Sequence, residues 1–146
     1  MLGRLAKWLR LLGYDTAYLR DADDPNLARM ARAQNRVLLT RDVELTRRCG
    51  LRAVLIESER VDAQVRQVLA TLNLTPQETF SRCAECNAPL EAASRDALRD
   101  AVPPYVFQTQ DTFRRCPACA RIYWRGTHWA RMLATLHDLD LGITKI

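Results

Sequence analysis

Four of the five cysteines stand in two Cys-x-x-Cys pairs, Cys83 with Cys86 and Cys116 with Cys119. A pair spaced this way closes a tight bend that turns both sulfurs toward one point, and two such bends supply the four ligands of a tetrahedral zinc ion. No strand-helix-strand pattern surrounds either pair, so a thioredoxin-like redox motif is the weaker reading. A shell of four sulfurs leaves no open position for a substrate, which makes the expected zinc structural. The residue closing each bend often needs a left-handed backbone. Asn87 tolerates one and Ala120 does so less readily, so the second bend is expected to be the less regular. Cysteines used in this way imply a reducing compartment, and the expected location is cytoplasmic. The remaining Cys49 reads as a small buried hydrophobe.

Ahead of the cysteines, strand and helix patterns alternate. Met1, Leu2, Leu5, Trp8, Leu9 and Leu12 recur at helical spacing, with Arg4, Lys7 and Arg10 on the other side and Gly13 as the stop. That basic side is a candidate phosphate contact. Residues 14–19 read as a strand. Asp24 as N-cap and Pro25 at the first helical position open a helix to Gln34 with Leu27, Met30 and Ala31 inward. Val37 to Thr40 is the next strand, Glu44 to Cys49 a short helix stopped by Gly50, and Leu51 to Ile56 a buried strand. Val61, Val65, Val68, Leu69 and Leu72 mark a last helix before Asn73. The alternation gives an α/β class with a parallel sheet flanked by helices. Leu74, Thr75 and Pro76 mark a boundary between residues 1–75 and 76–146. Beyond it, residues 91–101 read as a small helix ended by Pro103 and Pro104. Thr127 caps a C-terminal helix lined by Trp129, Met132, Leu133 and Leu136.

The apolar run from Val37 breaks off into Thr40, Arg41 and Asp42, which places a carboxylate at the carboxyl end of a strand, where α/β sheets keep their active sites. Asp just after a strand also commonly caps the next helix, and position alone does not separate the two roles. Asp23 and Glu44 read first as solvated acids of first helical turns, with a role as substitute or additional ligands the second reading.

Lys and Arg outnumber Asp and Glu by 22 to 17 in the 146 residues, a balance that suits a polyanionic partner. No apolar run reaches eighteen residues, so no membrane helix is expected, and charges interrupt the N-terminal apolar pattern as they would not in a signal peptide. Nothing points to an organic cofactor. Tyr123, Trp124 and Trp129 interleave with Arg125, which suits either base stacking or a miniature core beside the metal. His128 adjoins the Thr127 cap, and His137 reads as a surface helix residue.

Assembled, these residues resemble the PIN-like ribonuclease family named for the C-terminal domain of the mutator-seven exoribonuclease. The resemblance rests on the segment from Met1 to Asp15 (MLGRLAKWLRLLGYD), Asp24 ahead of Leu27, Leu38 to Asp42 (LLTRD), Arg82 to Asn87, Cys116 to Cys119, and Tyr123 to Trp129 (YWRGTHW). It implies a PIN-like α/β domain followed by a small zinc ribbon and a C-terminal helix, with ribonuclease activity dependent on Mg²⁺ or Mn²⁺. Asp24 and Asp42 are then the expected ligands of the catalytic ion, and Arg4, Lys7, Arg10 and Arg41 the expected RNA contacts. Family members usually begin with a strand whose final Asp precedes the first helix. This sequence starts on the helix, so that strand and its carboxylate are expected to be missing. The rival reading is an RNA-binding module without catalysis, built on the basic helix and the ribbon. A protein-binding adaptor is a weaker third.

Overall fold

The computed structural model describes residues 2–48, 50–75, 80–127, 129–131 and 134. Cys49, Pro76, His128, Met132, Leu133, Leu136, His137 and Met1 lie outside the described residues, as do the roles read for them and most of the expected C-terminal helix. Thr127, Trp129, Ala130, Arg131 and Ala134 have helical backbone.

Helix α1 (Gly3–Leu11) follows the apolar spacing of its sequence, burying Leu5, Ala6, Trp8 and Leu9 together with Leu12 just past its end. Gly13 turns the chain at φ 98°, a conformation that suits a residue without Cβ. Two compact units are formed, one from Met1–Leu5 with Tyr18–Leu74 and the other from Ala6–Ala17 with Thr75–Ile146. Ala6–Ala17 is thus grouped with the cysteine-bearing unit, across the sequence boundary at residue 75.

In the first unit, helix α2 (Asp24–Ala33) buries Ala28 and Ala31, while Leu27 and Met30 are half-buried. Its cap differs from the expected one by one residue. Asp23, in extended backbone, accepts from Asn26 N at 2.9 Å, and Asp24 is already helical ahead of Pro25. Strand β1 (Leu38–Thr40) leads through the one-turn helix α3 (Val43–Thr46) to strand β2 (Ala53–Leu55). The strands pair in parallel with Leu39 opposite Val54, and the ladder continues through Leu38 N to Arg52 O and Ile56 N to Thr40 O. This is the expected mixed α/β arrangement with a small parallel sheet.

Helix α4 (Val61–Thr71) buries Val65, Val68 and Leu69, three of the residues read from its period. Its Gln67 does something the period does not reveal. The Gln67 amide donates Nε2 to Leu55 O at 2.6 Å and accepts Glu57 N on Oε1 at 3.1 Å, so one side chain closes the end of β2 as a neighbouring strand would. Gln64 is buried and donates to Ser58 O at 2.8 Å.

The strand expected over residues 14–19 is absent, residues 14–17 belonging to the second unit. Their backbone groups are taken elsewhere: Thr16 N donates to Asn87 Oδ1, Thr16 Oγ1 to Tyr14 O, and Thr16 O receives Arg10 Nε. Strands β3 (Glu91–Ala93), β4 (Phe113–Arg115) and β5 (Ile122–Tyr123) form an antiparallel sheet with β4 central. Leu98, Val102 and Phe113 make its small core, with Phe107, Ile122 and Trp124 packed around them. The expected helix over 91–101 is replaced by β3 and a single 3₁₀ turn, Asp96–Leu98. Pro103 and Pro104 do not end a helix; Pro104 opens α5 (Pro104–Thr109), where a missing N–H costs nothing. A second cluster joins Trp8, Phe80, Tyr123 and Trp129, with Phe80 edge-on to Trp129 at 4.5 Å. Trp129 is buried and Tyr123 and Trp124 are half-buried, so the aromatics of the terminal motif serve as core.

Gln67→Ala leaves Leu55 O and Glu57 N without this partner at a half-buried edge, and should lower stability by about 1–2 kcal/mol. Equilibrium urea unfolding measures it, and a neutral result would mean that water replaces the amide without loss.

Candidate metal centre and carboxylate edge

The two cysteine bends share one hydrogen-bond pattern. Cys83 N donates to Ala88 O and Asn87 N to Cys83 O; Cys116 N donates to Arg121 O and Ala120 N to Cys116 O, all at 2.9 Å. Asn87 (φ 68°) and Ala120 (φ 63°) both adopt the left-handed conformation anticipated from sequence. The second bend is as regular as the first, because its paired backbone bonds hold Ala120 in a conformation that L-residues adopt at a cost.

All four sulfurs lie within 4.8 Å of one another. Cys83 and Cys119 Sγ are 3.6 Å apart and Cys86 and Cys116 Sγ 3.3 Å. A tetrahedral zinc with bonds of about 2.3 Å would set its sulfurs roughly 3.8 Å apart, so the donors fit one ion after small outward adjustments. Four cysteines are therefore positioned to hold a metal, consistent with structural zinc. In each bend the first cysteine is buried and the second exposed.

The sulfurs have partners beyond one another. Tyr123 Oη lies 3.0 Å from Cys83 Sγ and accepts from Ala84 N at 3.1 Å, so its own proton is free to point at the sulfur. Cys119 N donates to Cys116 Sγ at 3.4 Å. Against the upward push of burial, the N–H of Cys119 and the Cys86 thiol bring the Cys116 thiol down to about 7. At Cys86 the N–H of Ala88 pulls the other way but is outweighed by burial and the neighbouring Cys116 and Cys83 sulfurs, which push the thiol up to about 12.

Residues of the first helix hold the first bend from outside. Arg10 is not on an exposed basic stripe with Arg4 and Lys7, as its helical spacing suggested. It is 6% exposed, and its guanidinium donates to Thr16 O at 2.8 Å, Ala84 O at 2.8 Å and Glu85 O at 3.2 Å. Lys7 is exposed but bonded to Glu85 Oε1 at 2.7 Å, and that hydrogen bond holds the Glu85 carboxyl below its ordinary range, with the charges of Lys7, Arg121 and Arg10 adding to it. Asn87 completes the hold, donating to Asp15 Oδ1 at 2.6 Å and receiving Thr16 N. Sequence spacing could not reveal this set, whose bonds to residues 84–87 join partners more than seventy residues apart.

At the other candidate site, Asp42 stands at the carboxyl end of β1 and caps α3. Its Oδ1 accepts Glu44 N at 2.8 Å and Leu45 N at 3.3 Å, while Thr40 Oγ1 receives Asp42 N at 3.0 Å. Capping thus occupies one carboxylate oxygen. Asp24 is exposed in the first turn of α2 and is relieved of capping by Asp23. Among the described residues, the cysteines are the one group of three or more potential ligands gathered around a point, and neither Asp24 nor Asp42 belongs to such a group. Arg41 is within 3.7 Å of Glu59, an ion pair open to solvent and worth little by itself, and Arg4 is exposed. No helix among the described residues is long and apolar enough to cross a membrane.

One equivalent of zinc should bind per chain and be lost in Cys83→Ser, read by elemental analysis. Binding to protonated Cys86 must release protons, so affinity should fall as pH is lowered; a pH-independent affinity would contradict the four-thiolate set. Ala120→Gly should stabilise the protein by about 0.5–1 kcal/mol by relieving the left-handed conformation, measured by thermal unfolding of the metal-loaded form.

The family model described as Mut7-C RNAse domain matches residues 1–136. Neither the curated proteins nor the solved structures contain a match to the chain.

Proposed function

Because this chain belongs to the Mut7-C RNAse domain family, we propose that it acts on RNA as a ribonuclease dependent on Mg²⁺ or Mn²⁺, with a PIN-like first unit and the cysteine unit as a zinc ribbon. The observation that carries the catalytic part is the position of Asp42, a carboxylate at the carboxyl end of a parallel strand with one oxygen left over from capping. Asp24, freed by the Asp23 cap, is its partner in this reading.

The donor set fits a hard cation, which takes oxygen ligands and keeps several waters. A bound divalent ion supplies an activated water and neutralises charge developing on the phosphate. Asp42 presents its free oxygen while the α3 backbone fixes the other, so the carboxylate is oriented before any ligand arrives. Arg4, exposed on α1, and Arg41, beside the same strand end, contribute positive charge toward the RNA backbone. Arg10 takes no part in RNA contact, since it is buried and its Nε and Nη1 donate to carbonyls.

A second reading, RNA binding without catalysis, is favoured by a specific observation: Asp42 already has the capping role that would explain its presence. Asp42→Asn separates the two. Asn caps a helix as well as Asp does, so the fold is retained while the charge is lost. Cleavage of a labelled RNA should fall by about a hundredfold or more in Asp42→Asn and in Asp24→Asn, and should require added Mg²⁺ or Mn²⁺ in zinc-loaded protein. Salt-sensitive RNA binding with no cleavage by the parent chain, or cleavage indifferent to Asp42→Asn, would replace the enzyme with the binding module.

A further inference from the structure

A guanidinium withdrawn from water needs an anion or a very complete set of acceptors. Arg10, 6% exposed, donates only to neutral carbonyls, those of Thr16, Ala84 and Glu85. Two of these carbonyls belong to the residues between Cys83 and Cys86, so the positive charge lies against the loop that presents two of the four sulfurs. A divalent ion with four thiolates carries a net charge of about −2, itself partly buried, since Cys83 and Cys116 are closed off from solvent. The Glu85 carboxylate feels the Arg10 charge but is exposed and bonded to Lys7, so an anionic centre inside the bend would complement the buried guanidinium.

Two further cations border the same bends. Lys7 is bonded to Glu85 within the first, and Arg121 ends the second, where its carbonyl receives Cys116 N at 2.9 Å. Two carboxylates border the first bend and both have partners: Glu85 is exposed and bonded to Lys7, and Asp15 accepts from Asn87.

We propose that Arg10 is the counter-charge of the four-cysteine metal centre, a positioning residue that stabilises the loaded, dianionic site through the Ala84 and Glu85 carbonyls, with Lys7 and Arg121 adding charge from the surface. The proposal rests on the metal reading above. It also reassigns Lys7 and Arg10, whose helical spacing suggests contact with phosphate, to the upkeep of the ribbon.

The test uses the full chain and zinc alone, with affinity read by competition against a chromophoric chelator and site geometry by the cobalt–thiolate absorption of the Co²⁺ form. Arg10→Gln, which keeps a donor and removes the charge, should weaken zinc binding by about tenfold or more, as loss of outer-shell partners does elsewhere. Arg10→Lys, which keeps the charge and loses the fork, should stay within about threefold. Repeating Arg10→Gln in a Cys119→His background, where an imidazole replaces one thiolate and the centre carries about one negative charge less, should shrink its effect. Equal losses in the Gln and Lys variants, or the same Gln effect in both backgrounds, would mean that Arg10 only clamps backbone and would overturn the proposal. So would an Arg10→Gln affinity within threefold of the parent. Parent protein that binds no zinc would overturn the metal reading as well, which keeps the two failures apart. Should Arg10→Gln not fold, Lys7→Gln with Arg121→Gln decides instead. That pair should weaken zinc binding about threefold at low salt and less as salt screens the charges, and an unchanged low-salt affinity would overturn the proposal.

Discussion

Four sulfurs brought within bonding range of one ion are the constraint on which the second unit depends. Between residues 80 and 125 its regular elements are short: three strands of three residues or fewer, one 3₁₀ turn and a six-residue helix. Leu98, Val102 and Phe113 form a core too small to offset the entropy of ordering such a segment, and small domains commonly close that deficit with a metal. The helical residues from Ala6 onward and the loop to Ala17 add the rest, with Trp8 against Trp129 and Arg10 and Asn87 binding loop to bend. Closing the cysteine bends and packing residues 6–17 therefore draw on the same contacts in this unit.

The first unit is held differently. A two-stranded parallel sheet is marginal alone, and here helix α4 supports it both by apolar burial and by the Gln67 amide that completes the end of β2. The same economy appears at the other strand, where Thr40 and Asp42 bond to backbone on either side of the turn into α3. Such a turn holds a carboxylate in a fixed orientation. Fixed orientation is what a metal site requires and also what a cap achieves, so geometry and chemistry meet at Asp42 without either explaining the other away.

How much of this was legible in the sequence depended on the distance over which the cause acts. The cysteine bends, the burial of Val65, Val68 and Leu69, and the strand ending at Thr40 follow from local spacing, and all are present. Where the reading failed, the deciding partner was remote or the choice was between neighbours. Residues 14–19 look like strand, but the backbone of Thr16 among them is bonded to Arg10 and Asn87. Arg10 falls on the polar side of its helix by spacing, yet carbonyls near residue 85 give its charge an interior position. Asp23 and Asp24 are equally good caps by type, and the chain uses the earlier one. Asp42 was ambiguous in sequence between cap and ligand; its capping bonds are now visible, while the oxygen they leave over keeps the second role open to experiment.

Each bend hides its first sulfur and leaves its second at the surface, which gives the centre an inside and an outside. Traffic with the solution is confined to Cys86 and Cys119. A competing chelator, an oxidant or an alkylating reagent meets those two thiolates first, while Cys83, bonded to the Tyr123 hydroxyl, and Cys116 stay out of reach. The lifetime of an ion held there would be governed by how often the outer pair lets go, and its loss would begin with the inner pair still engaged rather than with wholesale release.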